Sequence, residues 1–200
     1  MAAVPSRSSS RCAREDTRLY TYAFTLVELI VAISVIIALA GLVLSTSSYV
    51  INKGRRSRAE AEIAAMSAAL ENYKADIGIY PRSAASDNLD ARSSYDPLTY
   101  QAACADLHAQ LIGDSDHDDV PDAGMRTYMT FKPSMKRLPN GSQPPGPTNK
   151  AFIQDPFGNS YGYSTAAQTD SATGHNPTFD LWSITNAKPP SDQKQWIKNW

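Results

Sequence analysis

The sequence predicts an α+β chain in which one long N-terminal helix leads into a small domain containing strands. Three observations predict it. Apolar side chains fill 17 of the 21 positions from residue 24 to residue 44. No proline occurs between Pro5 and Pro81, so nothing in that stretch forbids a helix. Beyond Pro81 the chain becomes rich in Pro, Gly, Ser and Asp, and short apolar–aromatic runs between those residues read as strands. The averages conceal this segregation: 42% hydrophobic, 20% charged and a net charge of −1. That balance excludes a strongly basic nucleic-acid-coating protein and an acidic disordered tail.

The first 23 residues are mostly polar, with Arg7, Arg11, Arg14 and Arg18 set against Glu15 and Asp16. A basic flank stays on the cytoplasmic side, so the C-terminal bulk of the chain is expected to cross the membrane. From Leu29 to Asn52 there is no formal charge over 24 residues. About 20 apolar residues, at 1.5 Å each, cross the ~30 Å hydrocarbon layer. The span is apolar on every face, which excludes an amphipathic surface helix. It is also longer than the apolar core of a secretory signal.

Glu28 breaks the pattern. A carboxylate inside an apolar span is costly unless it is paired or near the interface. No Lys or Arg lies within the span to pair with it. A chain cut just before Phe24 would supply a cation as its new α-amine.

The string Ala23-Phe24-Thr25-Leu26-Val27-Glu28-Leu29, with its basic leader and apolar span, resembles the prepilin processing motif of type IV pilins and type II secretion pseudopilins. The family has Gly where Ala23 stands. The resemblance implies cleavage between Ala23 and Phe24 by a membrane aspartic prepilin peptidase, then N-methylation of Phe24. It implies that Glu28 pairs with the N-terminal amine of a neighbouring subunit in a filament. It also implies the pilin fold: a long transmembrane-plus-periplasmic helix packed on a small antiparallel β-sheet domain. The expected organisation is a leader at residues 1–23, a membrane and filament-core helix at 24–52, an amphipathic helix at 53–80 and a loop-rich domain at 81–200.

Beyond the span, Ala59, Ile63, Met66, Leu70, Tyr73 and Ile77 recur at alternating spacings of 4 and 3, one face of a helix. A helix from about residue 25 to 76 would be about 78 Å long. Arg55, Arg56 and Arg58 form a basic cluster that reads as a solvated face, with Arg58 and Glu62 at i,i+4 spacing. Gly78 is a good helix stop and Pro81 prevents continuation. The run Tyr73-Lys74-Ala75-Asp76-Ile77-Gly78-Ile79-Tyr80-Pro81 resembles the helix end of the type II secretion major pseudopilin.

In the C-terminal part, residues 99–111 read as a short helix, residues 132–150 as a surface loop, and residues 161–165 and 178–184 as strands. Asp155-Pro156-Phe157-Gly158 resembles a family Asp-Pro-Trp-Gly turn, and Trp200 a family ending in which an aromatic closes the domain. Asp114, Asp116, Asp118 and Asp122 stand at positions 1, 3, 5 and 9 of an acidic run, the pattern of hard-oxygen calcium loops. Asp119 stands where such loops place Gly, and an Asp there is not expected to take the left-handed conformation. A calcium ion is therefore a candidate cofactor at this loop. Type II members often bind calcium after the last strand, but residues 185–192 offer only Asp192.

Cys12 would leave with the leader, so a mature chain would hold Cys104 alone and no internal disulfide. Within the family that this chain resembles, many type IV pilins close their C-terminal region with a disulfide, so the resemblance then implies a pseudopilin rather than an adhesive pilin. His108, His117 and His175 are scattered, and each reads as a surface residue rather than a catalytic one. The chain is expected not to be an enzyme. The resemblance implies a periplasmic pseudopilus subunit for type II protein secretion, anchored in the inner membrane by a single span. Its partners would be further copies of itself, the prepilin peptidase, minor pseudopilins and inner-membrane secretion assembly proteins. Nucleic acid is not expected, since only Lys132, Lys136 and Arg137 cluster in the domain. The alternative is a surface type IV pilin or a DNA-uptake pseudopilin.

Overall fold

The computed structural model describes residues 24–186 and 193–200. The leader, with Ala23 and Cys12, and residues 187–192 of the second calcium candidate lie outside the described residues. The chain divides into two compact units between Thr46 and Ser47.

Helix α1 runs from Leu26 to Ile77. In the first unit its apolar side chains face outward, as at Leu26, Val27, Ile30, Ile36 and Leu42. It is long and apolar enough to cross a membrane, and none of its most apolar window is buried. That exposure sets it apart from the buried core helix of a soluble domain and is consistent with a single-pass membrane protein.

In the second unit, Ser47–Trp200, the same helix lies against the domain. The predicted stripe holds for Ala59, Ile63, Met66 and Leu70, all buried. Tyr73 is half-buried and Ile77 is exposed, so the stripe ends about one turn early. Gly78 takes φ +90° and its N–H donates to the Lys74 carbonyl at 2.8 Å. That left-handed cap suits Gly and stops the helix where the sequence predicts.

Two short helices follow, α2 (Ala84–Asp87) and α3 (Gln101–Ile112). Five strands complete the domain: β1 (Lys136–Arg137), β2 (Phe152–Ile153), β3 (Gly162–Ser164), β4 (Asp180–Ser183) and β5 (Ile197–Lys198). β3, β4 and β5 form an antiparallel sheet in that order, with Tyr163 opposite Leu181 and Ser183 opposite Ile197. β1 and β2 pair antiparallel beside it, after a 3₁₀ turn at Pro133–Met135. The predicted loop at 132–150 therefore contains a strand, held by its pairing with Phe152 and Ile153.

The α1 stripe packs on Phe152, Ile153, Tyr161, Tyr163, Phe179, Leu181 and Ile197 in one core. The result is a long N-terminal helix on a small antiparallel sheet, a pilin-like architecture. A second core gathers Leu89, Tyr100, Trp182, Ile184 and Trp196, with Trp200 against it. Trp182 stacks parallel to Trp196 and meets Tyr100 and Trp200 edge-on.

β4 falls within the predicted strand at 178–184, and all four of its residues are buried, with no alternation of buried and exposed positions. Its polar members are satisfied inside. Asp180 accepts the N–H groups of His175 and Asn176 at 2.7 and 2.8 Å, and Ser183 donates to Asp155. Asp155 in turn accepts the N–H groups of Phe157 and Asn159 at 2.9 and 2.8 Å. Those bonds fold the Asp-Pro-Phe-Gly turn, and they oppose the burial that raises the Asp155 carboxyl. Cys104 is a free, buried thiol pushed up to about 11 by burial.

Candidate functional site

The N-terminal end of α1 carries the first candidate site. Phe24 is exposed and Thr25 precedes the first helical residue. The Glu28 carboxylate accepts the Thr25 N–H at 3.0 Å and the Thr25 hydroxyl at 2.9 Å. The Thr25 hydroxyl oxygen accepts the Glu28 N–H at 3.2 Å. This is a reciprocal capping box, in which Thr25 and Glu28 satisfy each other's backbone donors. The Thr-x-x-Glu spacing announces it, and reading Glu28 only as an unpaired charge missed it. Glu28 therefore has partners in its own chain, though none is a cation among the described residues, and lone pairs remain on its carboxylate.

The second candidate site is the loop after α3. Asp114 is buried, and its two oxygens accept the N–H groups of Asp118 at 3.1 Å and Asp119 at 2.9 Å. Asp116 and Asp118 are exposed beside it. One oxygen from each of Asp114, Asp116 and Asp118 lies within 4.8 Å of the others, so the three could hold a metal ion. Burial raises the Asp114 carboxyl, against the pull of the donated N–H groups. The predicted fourth ligand, Asp122, stands outside this trio. Its carboxylate accepts the N–H and hydroxyl of Ser115 at 2.8 and 2.5 Å.

Two expectations at this loop are corrected. Asp119 does take a left-handed conformation, φ +68°, as does His117 at φ +63°. The cost of a non-glycine residue there is offset by anchoring: the Asp119 carboxylate pairs with Lys136 on β1, and its N–H is held by Asp114. His108 is not a surface residue. It is 1% exposed on α3, tilted against Phe131, with Nε2 3.5 Å from Asp119. Burial pushes its imidazole down to about 4, against the attraction of Asp119, so it is neutral near pH 7. No local signal in the sequence brings His108 and Lys136 to Asp119, because Lys136 arrives there on the β1–β2 ribbon.

The predicted Arg58–Glu62 pair forms at 2.7 Å, and Glu62 also accepts the buried Tyr161 hydroxyl at 2.7 Å. Arg56 donates to the Gln195 carbonyl at 2.8 Å. Among the described residues, Lys53 and Arg55 have no ion-pair partner. No protein-family model, curated protein or solved structure matches the chain.

Proposed function

We propose that this protein is a structural, non-catalytic subunit of a periplasmic pseudopilus that serves type II protein secretion. The observation that carries the reading is the helix α1. Behind Phe24 and Glu28, its residues 29–52 carry no charge and are exposed wherever they are described, and the helix then runs on as the long helix of a small α+β domain. An apolar surface of that extent is stable only in lipid or against other helices. A filament built helix-inward gives it the second environment after the membrane gives it the first.

In this reading the peptidase cuts before Phe24, and the new amine is methylated. The amine of one copy meets the Glu28 of the next. Such a pair is attractive in low dielectric but must offset desolvation, so it sets register more than it adds net stability. Inner-membrane assembly proteins and minor pseudopilins would start and drive the polymer. The test is the N-terminal residue of the chain isolated from membranes, which the reading sets as N-methyl-Phe24.

The acidic loop is read as a calcium site formed by Asp114, Asp116 and Asp118, with backbone and water oxygens completing the shell. Extracellular sites of this kind bind at about 10⁻⁴–10⁻³ M. Millimolar calcium should therefore stabilise the domain by roughly 1 kcal/mol, read as a thermal shift in detergent. The Asp116→Asn/Asp118→Asn chain should lose that shift. An equal shift in both chains would remove the site.

A further inference from the structure

Two places along α1 carry exposed charges with no ion-pair partner among the described residues, Arg55 near its start in the second unit and Asp116 and Asp118 beyond its end. At its start in the second unit, Ile51 and Arg55 are one turn apart and exposed, and Arg55 has no ion-pair partner among the described residues. Arg55 and Tyr73 are 18 residues apart, about five full turns, so both lie on the same side of the helix roughly 27 Å apart. At the Tyr73 end the chain forms a groove of about 340 Å³, walled by Tyr73, Ile77, Met125 and Tyr128 and bordered by Asp114. Ile77 and Met125 are 54% and 59% exposed there. Arg126 lines the same groove, with its charge taken up by Asp76 at the helix end. Asp116 and Asp118 stand exposed on that loop without a cationic partner among the described residues.

We infer that this groove receives the Ile51–Arg55 turn of a second copy. Ile51 fills the apolar floor between Ile77 and Met125, and Arg55 meets the carboxylates of Asp116 and Asp118. The two surfaces are complementary at both levels: an apolar side chain beside a cation on one, an apolar groove beside unpaired anions on the other. One divalent ion held in the loop would leave its five Asp side chains net negative. The contact is heterologous, and each copy keeps one unused surface of each kind, so it propagates as an open polymer rather than closing a dimer. Copies would be displaced by about 30 Å along α1. The inference rests on the filament reading above and supplies its contact outside the membrane span.

The test uses full-length chains in membranes, with a chelator present and Cys12 replaced by Ser. The buried Cys104 stays in place. One chain carries Arg55→Cys and a co-produced chain Asp116→Cys, under mild oxidation. The unlike pair is expected to bridge, and a chain with both substitutions to give a ladder of multimers. Either cysteine with itself should bridge at least about tenfold less. Arg55→Glu and Asp116→Lys should each lower sedimentable polymer by about tenfold, and the two together should restore most of it. Polymer without the 55–116 bridge, or two charge changes whose losses compound, overturns this contact and leaves the filament reading standing. No polymer from the unmodified chain overturns both.

Discussion

Cells that make only the Glu28→Ala chain are expected to accumulate processed subunit and almost no filament. The apolar surface of α1 would still favour association, but the amine of each incoming copy would be buried without its counter-charge. Leaving one partner of such a pair unmatched costs about 3–5 kcal/mol, two orders of magnitude or more in assembly. The capping box complicates a simple loss, because Ala also removes the hydrogen bonds from Thr25 to the Glu28 carboxylate. Loss of a cap costs only about 1 kcal/mol. Glu28→Gln separates the two roles. A Gln can still cap the helix from this position but carries no charge, so it should assemble as poorly as Ala. Filaments from the Gln chain at normal yield would assign Glu28 to helix capping and take it out of assembly. Sedimentation of sheared filaments with electron microscopy reads all three chains.

The second large effect is expected far from the membrane. Gly162 on β3 lies directly beneath the buried Trp182 of β4, its partner in the sheet. A Cβ at residue 162 would meet the indole at 2.0–2.4 Å, closer than any real contact. The indole cannot retreat, because Tyr100, Trp196 and Trp200 surround it. Gly162→Ala should therefore destabilise the domain by about 3 kcal/mol, or roughly 6–12 °C in Tm for a chain of this size. All three tryptophans belong to this cluster, so their fluorescence reports its loss directly. Gly141→Ala, where nothing lies within 4 Å of the new carbon, should be close to neutral. Equal stability of the two variants would contradict the packing described for the second core.

The helix and its end were the most legible parts of the chain. A 3.6-residue pattern over Ala59, Ile63, Met66 and Leu70 needs no tertiary knowledge, and Gly78 with Pro81 punctuates it. The strands were less legible because they are two to four residues long and lack alternation. β4 is buried on both faces, and its Asp180 and Ser183 are admitted by long-range partners at His175, Asn176 and Asp155. At the acidic loop the local spacing found Asp114, Asp116 and Asp118. It did not find that Asp122 is taken up by Ser115, nor that His108 is buried beside Asp119. Those facts depend on how the loop folds back on α3 and on Lys136 arriving from β1. Glu28 is the opposite case: its Thr25 partner was three residues away in the sequence.

The central claim is that this chain is a processed filament subunit, and its most direct test is the mass of the N-terminal peptide of the protein extracted from membranes. The account predicts a mature chain that begins at Phe24 with one methyl group on its α-amine. A chain retaining Met1, or one cut near Ser45 and released from its apolar segment, would contradict it.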